Sequence, residues 1–208
     1  MASYIFSKTP TLVEAVHTKY RIVNTKLPTE SALATISSLD KYESRSMHGQ
    51  LPIVWDRAID FSIFDSEGNK WIDFTSTIFV ANVGHANVLV SERVQEVIDK
   101  RLVSSYAYST TIRAEYCKRL VEFAGENFEK VFLLSAGTEA TEAAVKLMKL
   151  NGKKNGKRRN LVLAISGNWH GRTMAAQLLS DNLSQKDWIN KNIDETVHIP
   201  FPYPWVVD

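Results

Sequence analysis

A single cysteine, Cys117, occurs in 208 residues, which excludes an internal disulfide framework. One thiol fits a reducing compartment, and the cytoplasm is the expected location. Neither sign of charge dominates. The 25 Lys and Arg against 23 Asp and Glu leave a formal net charge of +2, too small to point to nucleic acid or an anionic membrane as a partner. No window approaches the roughly 18 uninterrupted apolar residues of a membrane span, and residues 1–9 carry no basic stretch leading into an apolar run. A soluble protein is expected. Nucleotide-binding loops are missing too, since no Gly-x-Gly-x-x-Gly occurs and no Gly-Lys-Ser/Thr follows a strand. Internal repeats and low-complexity tracts are likewise absent. With 44% hydrophobic residues, the chain has enough apolar mass for one domain, or one and a fraction.

Hydrophobic periodicity supplies the elements. Helical spacing is expected over residues 12–21, and again after Thr29, a candidate N-cap, through Leu33, Ile36 and Leu39. Ile59-Asp60-Phe61-Ser62-Ile63 alternates, Asp65-Ser66-Glu67-Gly68-Asn69 supplies turn residues, and Lys70-Trp71-Ile72-Asp73-Phe74 resumes the extended pattern, which reads as a hairpin. Two amphipathic helices follow, one through Val90, Val94, Val97 and Ile98, the other through Ala114, Cys117, Leu120, Val121 and Ala124 up to Gly125. Residues 131–134 read as a buried strand, Ser135-Ala136-Gly137-Thr138 as a turn, and Ala140, Ala143, Ala144 and Leu147 as a helix. Residues 151–160 hold five basic side chains without interleaved aromatics, the pattern of a solvated connecting loop rather than a phosphate or RNA contact. Strands at residues 161–165 and 196–199 flank a turn and a short helix. Strands separated by helices predict an α/β fold with a mostly parallel sheet.

Two turns carry the chemistry. At Gly137-Thr138 a strand end opens a helix, whose first-turn N–H groups and positive dipole end suit an anion such as phosphate, with the Thr138 hydroxyl adding a bond. Alone, a glycine at a helix start is more often structural. The second turn, Trp169-His170-Gly171-Arg172-Thr173, also follows a strand, and strand ends of a parallel sheet share one edge, where ligands of open α/β folds bind. Trp169 suits stacking on a planar ring and Arg172 suits a forked grip on a carboxylate. In isolation Trp169 reads as ordinary packing and His170 as a satisfied imidazole. The two turns together favour a site.

At these residues the chain resembles the class III aminotransferases. Gly137-Thr138-Glu139-Ala140-Thr141-Glu142-Ala143-Ala144-Val145-Lys146-Leu147 resembles their phosphate-loop signature, and Trp169-His170-Gly171-Arg172-Thr173 their aromatic-His-Gly-Arg-Thr turn. The hairpin at residues 65–74 and Val83-Gly84-His85-Ala86-Asn87 resemble two earlier family motifs, in the family's order, so the likeness covers roughly residues 53–204. Ala136, Thr141 and Val88 depart from the usual Ser, Asn and Pro without removing a cofactor contact.

The resemblance implies fold type I and pyridoxal 5'-phosphate, with Gly137, Thr138, Trp169 and His170 as cofactor residues. It also implies Arg172 as a substrate-carboxylate ligand and Phe79 at the substrate entrance. Residues 1–84 would be an N-terminal segment and hairpin contributing to a small domain, and residues 85–208 the first part of the cofactor-binding large domain. The implied reaction moves an amino group from a carboxylate-bearing amino acid or amine to a 2-oxo acid, in a homodimer when the protein is full length. The lysine that binds the cofactor covalently is expected downstream of this chain, since Lys186 and Lys191 lie in polar surroundings unlike a strand-to-loop junction, and the chain by itself is expected to be inactive. An isomerase or decarboxylase on the same fold, or a non-catalytic fragment, remains the alternative.

Overall fold

The computed structural model describes residues 6–44, 47, 49–189 and 195–201. Lys191 and the proline-rich residues 202–208 therefore lie outside the described residues. The chain forms two compact units, residues 1–108 and 109–208.

In the first unit, residues 12–21 are not a helix. They hold the end of β1 (Thr11–Leu12) and all of β2 (Val16–His17), short strands whose partners follow as β3 (Ile22–Val23) and β4 (Lys26–Leu27), with β1 paired antiparallel to β4 and β2 to β3. Their apolar spacing is compatible with a helix, yet Thr11, Val13, Val16, Thr18, Ile22 and Val23 are β-branched and favour extended backbone when partners are at hand. The helix after Thr29 does form, as α1 (Glu30–Tyr42), with the Thr29 side chain accepting from the amide of Ala32. The hairpin also forms, with one difference. The expected strand at residues 59–63 is broken at Asp60, whose φ is 49°, so β5 (Arg57–Ile59) and β6 (Ser62–Phe64) are separate strands joined by a tight turn. β7 (Lys70–Ile72) pairs with β6, giving an antiparallel sheet in the order β2-β3-β7-β6-β5. Val23, Ala32 and Ile63 form its small apolar core. Buried Asn69 ties the hairpin turn to β3 and β4. Its side-chain carbonyl accepts from the amide of Asn24 (3.1 Å), and its amide group donates to Thr25 Oγ1 (2.8 Å) and Asp65 Oδ2 (2.7 Å). Every polar atom of that buried amide is thereby satisfied. A single turn, α2 (Ser76–Phe79), and the expected amphipathic helix α3 (Val88–Asp99) complete the unit.

The second unit begins with α4 (Thr111–Ala124), capped by the Thr110 hydroxyl and stopped at Gly125 (φ 90°). Residues 131–134 do not form a strand, contrary to expectation, because none of the described strands pairs with them and an apolar run alone does not make a ladder. Helix α5 (Gly137–Lys154) continues past the predicted loop start at residue 151. The helix buries Val145 and Gly152, and Gly152 sits so close to the Asn160 side chain that any larger residue there would displace it. Then come β8 (Val162–Ile165), α6 (Met174–Leu179), a 3-10 turn at Leu183–Gln185, and β9 (Thr196–Ile199). β8 and β9 pair in parallel, in register Val162 to Thr196. The core gathers Val145, Ala164, Ala176 and Leu179. Among the described residues no helix is long and apolar enough to cross a membrane.

Candidate functional site

The second unit brings both signature turns together. Gly171 has a φ of 133°, and a methyl group added to it would overlap the Thr138 hydroxyl and stand 2.8 Å from Thr138 Cγ2 and 2.9 Å from its Cβ. The turn after β8 and the start of α5 are therefore in close contact at these two residues. Only glycine combines that backbone conformation with that clearance.

Glu142, one helical turn beyond Thr138, makes the same junction polar. Its Oε1 accepts from the Thr173 hydroxyl and from the amides of Ala175 (2.8 Å) and Ala176 (3.1 Å), so a side chain of α5 caps the start of α6. A carboxylate at a helix N-terminus also meets the positive end of the dipole. Sequence reasoning did not single out Glu142. Its position, four residues after Thr138 and hence on the same helix face, was the available signal.

The start of α5 has the makings of an anion site. Ala136 at its N-cap offers no side-chain acceptor. Glu139 turns back to accept from the amide (3.0 Å) and hydroxyl of Ser135, which holds its carboxyl below the usual range. Space beside Gly137 is open. Gly137 and Thr138 thus stand at an open helix start that can receive a phosphate, and the Thr138 hydroxyl borders the Gly171 turn.

Trp169 is 55% exposed, with the Arg172 guanidinium over its ring at 5.5 Å from the centroid. The aromatic face and the cation are adjacent, the arrangement needed for a planar ring and a carboxylate side by side. His170 is held by the scaffold, its backbone amide donating to Ser180 Oγ (2.8 Å) and its Nε2 lying 2.9 Å from the side-chain amide of Asn168. Lys186 donates to the carbonyl of Leu178 (3.0 Å), and partial burial depresses its pKa.

Phe79 belongs to the first unit and ends α2, where Ser76, Thr77, Ile78 and Phe79 have φ of 46°, 54°, 59° and 70°. This is a left-handed turn built of ordinary L-residues, which costs roughly 1–2 kcal/mol per residue. Phe79 is 77% exposed there. Beside the turn, Asp60, Asp73, Ser76, Asn82 and His85 contribute to a cavity of about 280 Å³. Asp73 Oδ2 lies 2.8 Å from His85 Nε2, with side-chain exposures of 4% and 14%. Burial works against the charge of Asp73, but hydrogen bonds from His85, from the Thr75 hydroxyl and from the amides of Thr75 and Thr77 outweigh it and hold the pKa at about 2.

The aminotransferase class-III family model matches residues 43–208. Among curated proteins, ornithine aminotransferase of Saccharomyces cerevisiae is 34% identical over 155 residues, covering 73% of this chain and 36% of that protein. Mitochondrial acetylornithine aminotransferase of Candida glabrata is 34% identical over 163 residues, covering 75% and 38%. The chain therefore spans little more than a third of the length of these relatives. A crystal structure of ornithine aminotransferase from Toxoplasma gondii with partial occupancy of PLP at its active site aligns over 84% of this chain and 40% of its own, with a TM-score of 0.70 at 20% identity.

Proposed function

This chain belongs to the class III aminotransferases, whose cofactor is pyridoxal phosphate, and from that membership we propose that it supplies the phosphate cradle, the ring-stacking face and a carboxylate clamp of an amino-transferring enzyme. The close approach of Gly171 to Thr138 carries this reading, because it joins the two signature turns at one place. The residues fit the cofactor. An uncapped helix start with open space beside Gly137 suits its phosphate, and the exposed face of Trp169 suits its ring.

Gly137 and Thr138 bind the phosphate through backbone amides and the hydroxyl. Trp169 packs on one face of the ring and keeps water from it. His170, fixed by Ser180 and Asn168, holds Trp169 and Gly171 in place around it. Arg172, next to Trp169, grips a carboxylate of the substrate through its fork. When bound, pyridoxal phosphate withdraws electrons from the carbon bearing the amino group. Lys186, engaged with the Leu178 carbonyl, is not given the role of the lysine that binds the cofactor covalently. Phe79 lines the entrance through which the substrate passes.

The substrates are a carboxylate-bearing amino acid or amine, such as an ornithine-like or 4-aminobutyrate-like donor, and a 2-oxo acid such as 2-oxoglutarate. The assembly is a homodimer, supported by the exposed apolar side chains Val88, Leu89, Val94 and Ile98 on α3. Lone Cys117 supports a cytoplasmic setting. The test is to incubate the enzyme containing this chain with candidate donors and 2-oxoglutarate and to follow glutamate. Donor-dependent glutamate formation is expected. Racemised donor or released carbon dioxide without glutamate would overturn the transfer reading in favour of isomerase or decarboxylase chemistry.

A further inference from the structure

The left-handed turn of α2 has no glycine and no side chain of its own that explains its backbone. Side-chain support comes from Asn82, whose Nδ2 donates to the Phe79 carbonyl (3.1 Å), and above all from one carboxylate upstream. Asp73 Oδ1 accepts from the amide (2.9 Å) and hydroxyl (2.8 Å) of Thr75, and Oδ2 accepts from the amide of Thr77 (3.2 Å). The turn adds its own backbone bonds, from Phe79 N–H to Thr75 O and from Val80 N–H to Ser76 O, both 2.9 Å.

Asp73 is itself fixed from two sides. Its amide donates to the Phe61 carbonyl (2.8 Å), and its Oδ2 pairs with His85. His85 exchanges backbone hydrogen bonds with Asp60 (2.7 and 2.9 Å), and the Trp55 ring stands edge-on to the imidazole at 5.8 Å. The carboxylate therefore links a rigid hairpin to a turn whose backbone an unsupported chain would abandon. At the turn's end Ile78, Phe79 and Val80 are all exposed, an apolar group whose presentation depends on the left-handed backbone.

We propose that Asp73, clamped by His85, is a positioning residue that holds α2 in its left-handed conformation and so sets how Ile78, Phe79 and Val80 face the substrate. This deepens the proposed function and rests on its placement of Phe79 at the substrate entrance. Donor selectivity then depends on a residue that touches no substrate.

Native-state chymotrypsin digestion reads the turn directly, through cleavage after Phe79, and needs no catalysis. Asp73→Asn is expected to raise the cleavage rate by about tenfold, and Thr75→Val, which removes one hydroxyl donor, by about threefold. Adding Thr77→Gly to Asp73→Asn should restore most of the protection, because glycine adopts the left-handed backbone without the Cβ penalty. A residue acting only through general stability would show no such rescue. If circular dichroism shows that Asp73→Asn unfolds the unit, the Thr75→Val result decides. Unchanged cleavage in a folded Asp73→Asn variant, no rescue by Thr77→Gly, or an inert Thr75→Val overturns the proposal. In the enzyme, Asp73→Asn should raise the KM for the amino donor with kcat little altered. Should Phe79→Ala leave that KM unchanged while the cleavage results hold, the entrance assignment fails and the positioning role stands.

Discussion

Gly171 and Thr138 meet with no room for a methyl group between them, and this contact joins the turn after β8 to the start of α5. Gly171→Ala should therefore push Thr138 off its place or force the turn out of its φ of 133°, at a cost of about 2 kcal/mol or more. Denaturant unfolding measures it. The double variant Gly171→Ala with Thr138→Gly should recover part of the loss, because it removes the side chain that is struck. Equal stability of Gly171→Ala and wild type would show that the junction is looser than its geometry.

Glu142 makes the other half of that junction. Glu142→Gln keeps the shape and can still present one carbonyl oxygen to Thr173, Ala175 and Ala176, as Oε1 does, but it loses the charge. A loss of about 1–2 kcal/mol is expected from a charged cap. Hydrogen exchange at the amides of Ala175 and Ala176 should accelerate more than exchange in β8. Uniform acceleration across the unit would point to global destabilisation instead.

Arg172 and Trp169 are adjacent and should separate cleanly by function. In the assembled enzyme, Arg172→Lys keeps the charge but loses the fork, and should raise the KM for the carboxylate-bearing donor or for 2-oxoglutarate by a loss on the order of 1.5–3 kcal/mol. Cofactor retention should hardly change. Trp169→Ala should weaken retention of pyridoxal phosphate first, whichever substrate is present. Cofactor release by Arg172→Lys with intact substrate kinetics would move the arginine to the phosphate site.

Asp73 makes the first unit sensitive to acid. Its carboxyl titrates at about 2 in the fold against an ordinary 3.8, so it binds its proton less tightly folded than unfolded. The stability it lends is present in full above the unfolded value and is lost as pH falls through the folded one, roughly 2 kcal/mol in all. The gap in unfolding free energy between wild type and Asp73→Asn should therefore narrow as the pH is lowered from roughly 5 to 2. A gap independent of pH would assign the difference to packing rather than to charge.

What could be read from the residues alone followed local chemistry. The helix cap at Thr29 and the stop at Gly125 were legible because each is a side chain or backbone type that its position demands. The two signature turns were legible for the same reason. The short strands of residues 11–27 were not, because their apolar spacing fits a helix and only distant partners decide. Residues 131–134 carried the composition of a strand, but composition supplies no partner. The left-handed α2 was hidden most completely. Ser76, Thr77, Ile78 and Phe79 include no glycine or asparagine to announce it, and the carboxylate that supports it is fixed by His85, twelve residues away.

The parallel pairing of β8 with β9 has a kinetic consequence. Trp169, His170, Gly171, Arg172 and Thr173 all lie within the crossover between these strands. Ribbon formation between them must close that whole excursion before a single ladder bond rewards it, a slow step compared with a hairpin. Helix α5 can nucleate from local contacts alone, whereas the turn that packs on Thr138 is pinned only when both of its flanking strands are in register. During synthesis or refolding, the proposed phosphate cradle at the α5 start should mature before the proposed ring and carboxylate contacts, so a partly folded population would bind inorganic phosphate while still indifferent to the aromatic part of the ligand.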